Sequence, residues 1–478
     1  MPGFLALPAG AAAIAAQGLL TLSGYVVNLA LARALGPAEF GAFGVVYSLL
    51  LAVELCARLG VPSAVIRLLA TTAEPAPICR AASALALALA LAATALFWAA
   101  APLLARLLAL PGGPMRIWLA GLDIVPFVFY LLWTAIATGL GRFGLAAWST
   151  TSYALARAGF TVLSVLLAPG VEAALLANAL ASLVGLVPVA LALGPSRLRP
   201  GLGPWRRILR EALPPWFDQS LAHLLPLLGL WAIMPLAPGD AAAAAGRYSA
   251  ALALARAPNS VALALGPLVL QRLSATAGGT GTPRAQRECA ALATLAAFLL
   301  LPGCLVLALE ARPLVLLLFG PEYGEAADLA ALLALGVGLG HGALLLARNA
   351  LFALGAPRAA LSAVAGALLA QLAGLPLSVP RLGAPAAALV TTIALIAAAV
   401  AAVGATDRRL GGFLRLLPAG RLLALMAAIG LFSVSFAGEG PWLVVELALL
   451  GLIWASAGAF LGKRKLPVGS VFAGRAKG

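Results

Sequence analysis

Charge is what this chain has least of. Only 10% of its 478 residues are Asp, Glu, Lys or Arg, where a soluble domain carries about 25%. Lysine is nearly missing, confined to Lys463, Lys465 and Lys477 at the far C-terminal end. Histidine occurs only as His223 and His341, and cysteine only as Cys56, Cys79, Cys289 and Cys304, without CxxC spacing. Those scarcities speak against a metal site and against a disulfide framework, leaving the cysteines as small packing residues. Two further absences matter. No polar stretch is long enough to fold as a separate soluble domain, and the short alternating segments of a membrane barrel do not occur.

What fills the chain instead is hydrocarbon. Hydrophobic residues make up 63% and the mean hydropathy is +1.06. An apolar run of about 20 residues crosses a bilayer as a helix, and such runs recur at 9–35, 41–70, 81–104, 116–139, 145–168, 172–193, 212–237, 241–272, 289–309, 326–354, 359–379, 383–405, 419–437 and 441–461. Helices are the only spanning structure left once barrels are excluded. The expectation is an all-α polytopic membrane protein of about 14 transmembrane helices. Residues 1–16 lack a basic n-region and the first helix runs on to Ala34, so it reads as retained rather than as a signal peptide.

The net charge of +15 would suit nucleic acid if it were clustered, but it alternates with the breaks between helices. With both termini cytoplasmic, one set of breaks holds 21 basic residues, Arg67, Arg80, Arg142, Arg197, Arg199, Arg206, Arg207, Arg210, Arg272, Arg284, Arg287, Arg358, Arg408, Arg409, Arg415, Arg421 and the five of the tail, whereas the other holds only Arg33, Arg106, Arg116, Arg312 and Arg381. This is the positive-inside pattern of a cytoplasmic membrane protein. Anionic lipids, and no nucleic acid, are the partners it implies.

Internal repeats come next. LGPAEFGAFGVVYS after the first helix echoes LAPGDAAAAAGRYS after the seventh, so that Pro37, Glu39, Tyr47 and Ser48 return as Pro238, Asp240, Tyr248 and Ser249. PGVEAALLANAL and LGAPAAALVTTI form a second echo in the same order. Duplication of six helices gives parallel repeats, which usually enclose a central site. The expected organisation is an N-terminal six-helix lobe over 1–200, a C-terminal six-helix lobe over 201–410, and two extra helices with a basic tail over 411–478. The charged break at 194–216 is the linker; its WRRILRE stretch fits either a solvated connection or an amphipathic piece lying in the headgroups.

Charges inside the spans are the functional candidates, because a charge at mid-bilayer costs about 2.5–3.5 kcal/mol on insertion scales. Arg58, Arg157, Arg247, Arg256 and Arg348 fall there, with Glu54, Asp123, Asp218 and Glu446. Helical spacing puts Tyr47, Glu54 and Arg58 on one stripe. A self-neutralising Glu54–Arg58 pair is one reading of it and a cavity wall the other. Its repeat offers Tyr248, Arg256 and Asn259. Further stripes are Gln17, Thr21, Gly24 and Asn28; Asp123, Phe127, Tyr130 and Thr134; His341 and Arg348; and Trp216, Ser220, Gln219 and His223 beside Asp218. Interhelical hydrogen bonding explains the uncharged stripes equally well. Arg247, near a helix end, reads as snorkelling. More arginine than acid implies a cavity for anions, and the guanidinium fork suits phosphate oxygens.

At LARALGPAEFGAFGVVYSLLLA, LGVPSAVIRLLA, LAPGDAAAAAGRYSAA and FGPEYGEAADLAALLAL the chain resembles the polysaccharide transporter family. These are the lipid-linked oligosaccharide flippases of the multidrug, oligosaccharidyl-lipid and polysaccharide exporter superfamily. The resemblance covers roughly residues 10–460. It implies two lobes around a cationic cavity and alternating access that carries an undecaprenyl-diphosphate-linked glycan outward, for cell-envelope products of the lipopolysaccharide and O-antigen kind. It implies a transporter rather than an enzyme, monomeric, without cofactor, and working beside glycan polymerase machinery. Carried over, the diphosphate ligands are Arg58, Arg256, Arg348 and Arg157. Asn28, Tyr47, Tyr248, Asn259 and His341 line the cavity, and Glu54, Asp218 and Asp123 are candidates for coupling to H+ or Na+. Weighed against this are a cation-coupled multidrug exporter of the same superfamily, expected to favour acids in its cavity, a membrane glycosyltransferase or polymerase, which usually needs a long outer loop or a DxD pair, and a scaffold subunit without transport.

Overall fold

The structure, a computed structural model, describes residues 9–194, 199–201, 203–276 and 283–436. The expected fourteenth span with Glu446, and the basic tail, lie outside the described residues, as does the side chain of Asp218. Every regular element among the described residues is helical, as the hydrocarbon environment demands. Contacts divide the chain into two compact units, the first ending in sequence at Gly246 and the second beginning at Arg247.

The first unit opens with α1 (Ala9–Arg58), 50 residues long. At about 1.5 Å per residue a single helix of that length would be more than twice as long as the roughly 30 Å hydrocarbon core is thick. It is two helices meeting at Gly36, whose φ of 71° only glycine adopts without strain. Pro37 follows, at the start of the second helix, where its missing N–H costs nothing. Then come α2 (Val61–Thr71), α3 (Pro75–Leu107), α4 (Met115–Gly121), α5 (Ile124–Gly139), α6 (Phe143–Leu167), α7 (Val171–Leu193), α8 (Trp205–Leu224), a 3-10 turn at Leu225–Leu227 and α9 (Leu228–Leu236). In the second unit lie most of α10 (Ala241–Thr276), α11 (Pro283–Leu309), α12 (Ala311–Phe319), α13 (Ala326–Leu333), a π-helical stretch at Ala334–His341, α14 (Gly342–Ala353), α15 (Pro357–Leu410) and α16 (Ala419–Phe436). The 54-residue α15 is again double, broken at Gly383 with φ 64°.

Nine helical stretches among the described residues are long and apolar enough to cross a membrane, two of them these double helices, and Ser220–Leu236 and Ala419–Leu431 are shorter apolar helices. Leucines such as Leu166, Leu167 and Leu191 stand 73–81% exposed, an apolar surface that suits a lipid solvent. Inside, small residues set the spacing. Ala12 and Ala16 pack on Ala147, and a Cβ added at Gly185 would lie 2.8 Å from the Tyr130 ring and 2.9 Å from Tyr153 Cβ. Between lipid-bathed helices such close approach, not apolar burial, supplies the cohesion. In the second unit α16 lies on α11 through Leu425 and Ile429 against Phe298, Leu305 and Val306.

Contacts between loops respect the alternation read from the sequence. In the first unit Arg116 joins Glu39 and Glu172, all three from one set of breaks. Arg67 joins Glu211 and Gly201 N–H donates to Arg80 O, within the other set. In the second unit Arg247 pairs with Glu325 at 2.8 Å, so its guanidinium does more than snorkel, and Gln286 reaches Leu410 O.

Several spans expected to run unbroken are interrupted, and this is the principal correction. The 41–70 segment breaks at Leu59 and Gly60, with φ 45° and 70°, before Pro62 near the start of α2. The 116–139 segment breaks between α4 and α5, with Asp123 at the N-cap of α5. The 326–354 segment passes through the π-helical turn that ends on His341. An apolar window sums hydropathy and is blind to one residue with positive φ. WRRILRE is the first part of α8.

Candidate functional site

A broken helix leaves carbonyls and amides that must find partners at membrane depth. At the end of α1, Leu55 O accepts the Trp216 indole N–H of α8 at 2.8 Å, and Arg58 Nε donates to Glu54 O at 3.2 Å. The break thus holds Arg58 with its guanidinium carbon 6.0 Å from the centroid of the Phe127 ring. No ion pair ties it to the Glu54 carboxyl among the described residues, so the self-neutralising pair is not formed.

Glu54 turns elsewhere. It is 2% exposed, and its carboxyl neighbours that of Asp123, within hydrogen-bonding reach. Asp123 is completely buried. It accepts from the Asn178 amide of α7, and the Ser182 hydroxyl, one turn on, is also in reach. Glu54 Oε1 and Asp123 Oδ1 are both buried without a hydrogen-bond partner. Near them is Arg157 on α6, whose Nη2 donates to Tyr47 Oη at 2.7 Å and whose guanidinium carbon lies 5.5 Å from that ring's centroid. Its Nε is likewise buried and unpartnered.

Four helices therefore converge on two arginines and two carboxyls in the first unit: α1 with Tyr47, Glu54 and Arg58, α5 with Asp123, α6 with Arg157, α7 with Asn178 and Ser182. The expected α5 stripe is one face. Phe127 approaches Tyr153 at 5.9 Å, Tyr130 stacks on Tyr153 at 4.6 Å, and Thr134 bonds Ser149 at 3.1 Å. The first-helix stripe is near as well, since a Cβ at Gly24 would lie 3.8 Å from Arg157 Nη1. Asn28, however, donates to Gly24 O of its own helix at 2.7 Å. The Trp216 stripe is structural at Trp216, which caps the broken end.

The second unit carries its own polar set. Tyr248 is fully buried and donates to Thr391 at 3.4 Å, which in turn reaches Gln371. Asn259 is 6% exposed and packs against the start of α14, where a Cβ at Gly342 would sit 3.5 Å from its Oδ1. His341 and Arg348 are buried, and Arg256 is exposed. Sequence reasoning missed Asn178, Ser182, Gln371 and Thr391, uncharged polar residues set in otherwise apolar runs. No cluster of three or more metal-ligating His, Cys, Asp or Glu occurs among the described residues, and no disulfide joins the cysteines.

Residues 8–270 match the family described as polysaccharide biosynthesis protein. No curated protein sequence matches the chain. Among solved structures it is similar to lipid II flippase MurJ in an inward closed conformation, with TM-score 0.73 and 12% identity over 94% of this chain and 98% of that one. It is also similar to a multidrug resistance MATE family transporter of the MOP superfamily. The inward-facing form gives TM-score 0.68 and 16% identity over 84% and 99%, the outward-facing form 0.60 and 18% over 86% and 98%. At these identities the likeness is one of fold.

Proposed function

Since the chain belongs to the polysaccharide biosynthesis protein family and has the fold of the MOP-superfamily transporters, we propose that it is a flippase. Its cargo is an undecaprenyl-diphosphate-linked oligosaccharide or polysaccharide repeat unit, moved across the cytoplasmic membrane by alternating access, with both chain termini on the cytoplasmic side. The observation that carries this reading is the state of Arg58 and Arg157. Both sit within spans and neither forms an ion pair with a described carboxylate. Such a charge is costly in hydrocarbon, and a guanidinium fork is matched to phosphate oxygens. Arg157 and Arg58 are the proposed ligands of the diphosphate in the first unit, and Arg348 and Arg256 the proposed phosphate ligands of the second. The prenyl tail stays in lipid, so only the diphosphate and glycan need a polar path.

One observation favours a second reading. Buried carboxyls such as Glu54 and Asp123 are what a cation-coupled multidrug exporter would use. Reconstitution separates the two. Proteoliposomes carrying the full chain are expected to translocate a diphosphate-linked glycolipid and not a cationic dye, with Arg58→Ala and Arg157→Ala each lowering the rate at least tenfold at equal protein density. Dye transport with unaffected arginine variants would establish the exporter instead.

A further inference from the structure

The alternation of loop charge implies a diffuse attraction of anionic headgroups to one side of the membrane. The second unit holds something more definite. At the end where α10, α14 and α15 finish and α11 begins, a cavity of about 210 Å³ lies among Leu273, Cys289, Leu300, Leu346, Ala350 and Phe413. Its wall on α11 runs from Cys289 to Leu301, which at 1.5 Å per residue is about 18 Å. That is close to the roughly 15 Å of hydrocarbon in one leaflet.

The interior offers nothing to a polar guest. The lining side chains that are not pure hydrocarbon are Thr406, whose hydroxyl donates to Ala402 O at 2.9 Å, and Cys289, a free thiol and a weak donor. In a water-soluble protein an apolar cavity of about 150 Å³ stays dry and takes up benzene. In a bilayer the hydrocarbon that fits such a space is already adjacent, and an empty space forfeits dispersion contacts along its walls.

The cavity reaches the surface beside charge. Leu414, on its wall, is 40% exposed and belongs to the 3-10 turn Phe413–Leu416. Around that turn stand the exposed Arg408 and Arg409 at the end of α15, Arg415 in the turn itself and Arg421 in the first turn of α16. The start of α11, with the exposed Arg284 and Arg287, is tied to the same place, because the Gln286 amide reaches Leu410 O and, at 3.3 Å, Gly411 O. The neighbouring acids are Glu288 and Asp407, and Asp407 already accepts the Leu414 N–H at 2.9 Å. The surplus is positive, and guanidinium groups suit phosphate oxygens.

We infer that this cavity is a binding site for one anionic phospholipid of the leaflet on the arginine-rich side, with an acyl chain between α10, α11, α14 and α15 and its phosphate at the arginines around the Phe413–Leu416 turn. The depth of the cavity chooses this occupant over a prenyl chain: one leaflet deep, it takes a single slender chain, whereas a polyprenyl chain is far longer and methyl-branched. The inference stands whatever the cargo is. The wall includes Leu417, just before α16, and α16 packs on α11 through Leu425 and Ile429 against Phe298 and Leu305. A bound chain therefore fills the seam beside α16, and a lipid that binds only the folded chain stabilises it.

The test uses the full chain in detergent, with phosphatidylglycerol and phosphatidylcholine of the same acyl chains as probes. Native mass spectrometry is expected to show phosphatidylglycerol saturating at one lipid per chain and outcompeting phosphatidylcholine by about tenfold, as several arginines beside one extra negative charge imply. Phosphatidylglycerol should also raise the thermal midpoint more than phosphatidylcholine does. Ala293→Leu with Ala347→Leu fills the cavity and should abolish the saturable adduct. Arg415→Gln with Arg421→Gln should keep the adduct and reduce the preference between the two lipids. A lipid-soluble maleimide should alkylate Cys289, on the cavity wall, several-fold more slowly once phosphatidylglycerol is bound. This is read by peptide mapping of the wild type, so a filling variant that fails to fold does not decide the matter. Adducts that accumulate without saturation, or phosphatidylglycerol that leaves Cys289 unprotected, overturn the site. Equal binding of the two phospholipids overturns the anionic headgroup and the proposal with it. Displacement of phosphatidylglycerol by undecaprenyl phosphate at equal concentration assigns the cavity to a prenyl chain and overturns the phospholipid.

Discussion

At the scale of single residues, the protein spends polar groups where they satisfy the consequences of a broken helix. Trp216 shows the point. Its aromatic body lies within the unit and its N–H serves one carbonyl, Leu55 O. Trp216→Phe keeps the packing and removes the donor, and should cost about 1 kcal/mol of stability, read as a lowered thermal midpoint in detergent. Loss of nothing measurable would mean that another group serves that carbonyl. Arg58 and Glu54 illustrate the reverse case. Four residues apart they look like a helix-surface ion pair, yet the guanidinium bonds the Glu54 backbone oxygen and the carboxyl looks toward Asp123. The stripe itself was legible from the 3.6-residue period. Which way each head group turns was not, because that depends on Asp123 arriving from a helix some seventy residues further on.

At the scale of elements, the candidate functional residues gather where helices are interrupted. Glu54 and Arg58 precede one break, Asp123 caps the helix after another, and His341 closes the π-helical turn. Interrupted spans place backbone and side-chain polarity at depth, the recurring device of membrane transporters. Gly60 is the residue on which the first break depends. It has φ 70°, and a Cβ there would lie 2.6 Å from Ala212 O. Gly60→Ala meets both the left-handed penalty and backbone that cannot retreat, so a loss of about 2 kcal/mol or more is expected. A thermal unfolding midpoint equal to wild type would show that the break is malleable. The predicted spans fall on helical segments among the described residues because hydropathy is additive along a segment, although only nine stretches there are long and apolar enough to cross a membrane. The first break escaped notice because the motif that makes it, Leu59, Gly60, Val61, Pro62, changes hydropathy hardly at all.

At the scale of the whole molecule, the first unit is fastened at one end by Arg116, which bonds Glu39 at 2.6 Å and Glu172 at 2.8 Å. The arginine is 7% exposed while its partners are half exposed, so water screens part of the gain. Arg116→Ala should destabilise the protein by about 1–2 kcal/mol, and Glu39→Gln with Glu172→Gln should reproduce the loss without creating a cavity. The readout is thermal stability in detergent, and a stabilised double glutamine variant would refute the fastening role.

The amino-acid sequence by itself determined the solvent of this protein, its helical class, the alternation of its loops and the two-fold echo along its length. Each is a sum or a period over many residues, and so survives ignorance of contacts. Only the tertiary structure decided which charges meet. Whether Glu54 neutralises Arg58 or joins Asp123, and whether a span runs through or breaks, is settled by single torsions and by neighbours distant in sequence, which leave no trace in any local average.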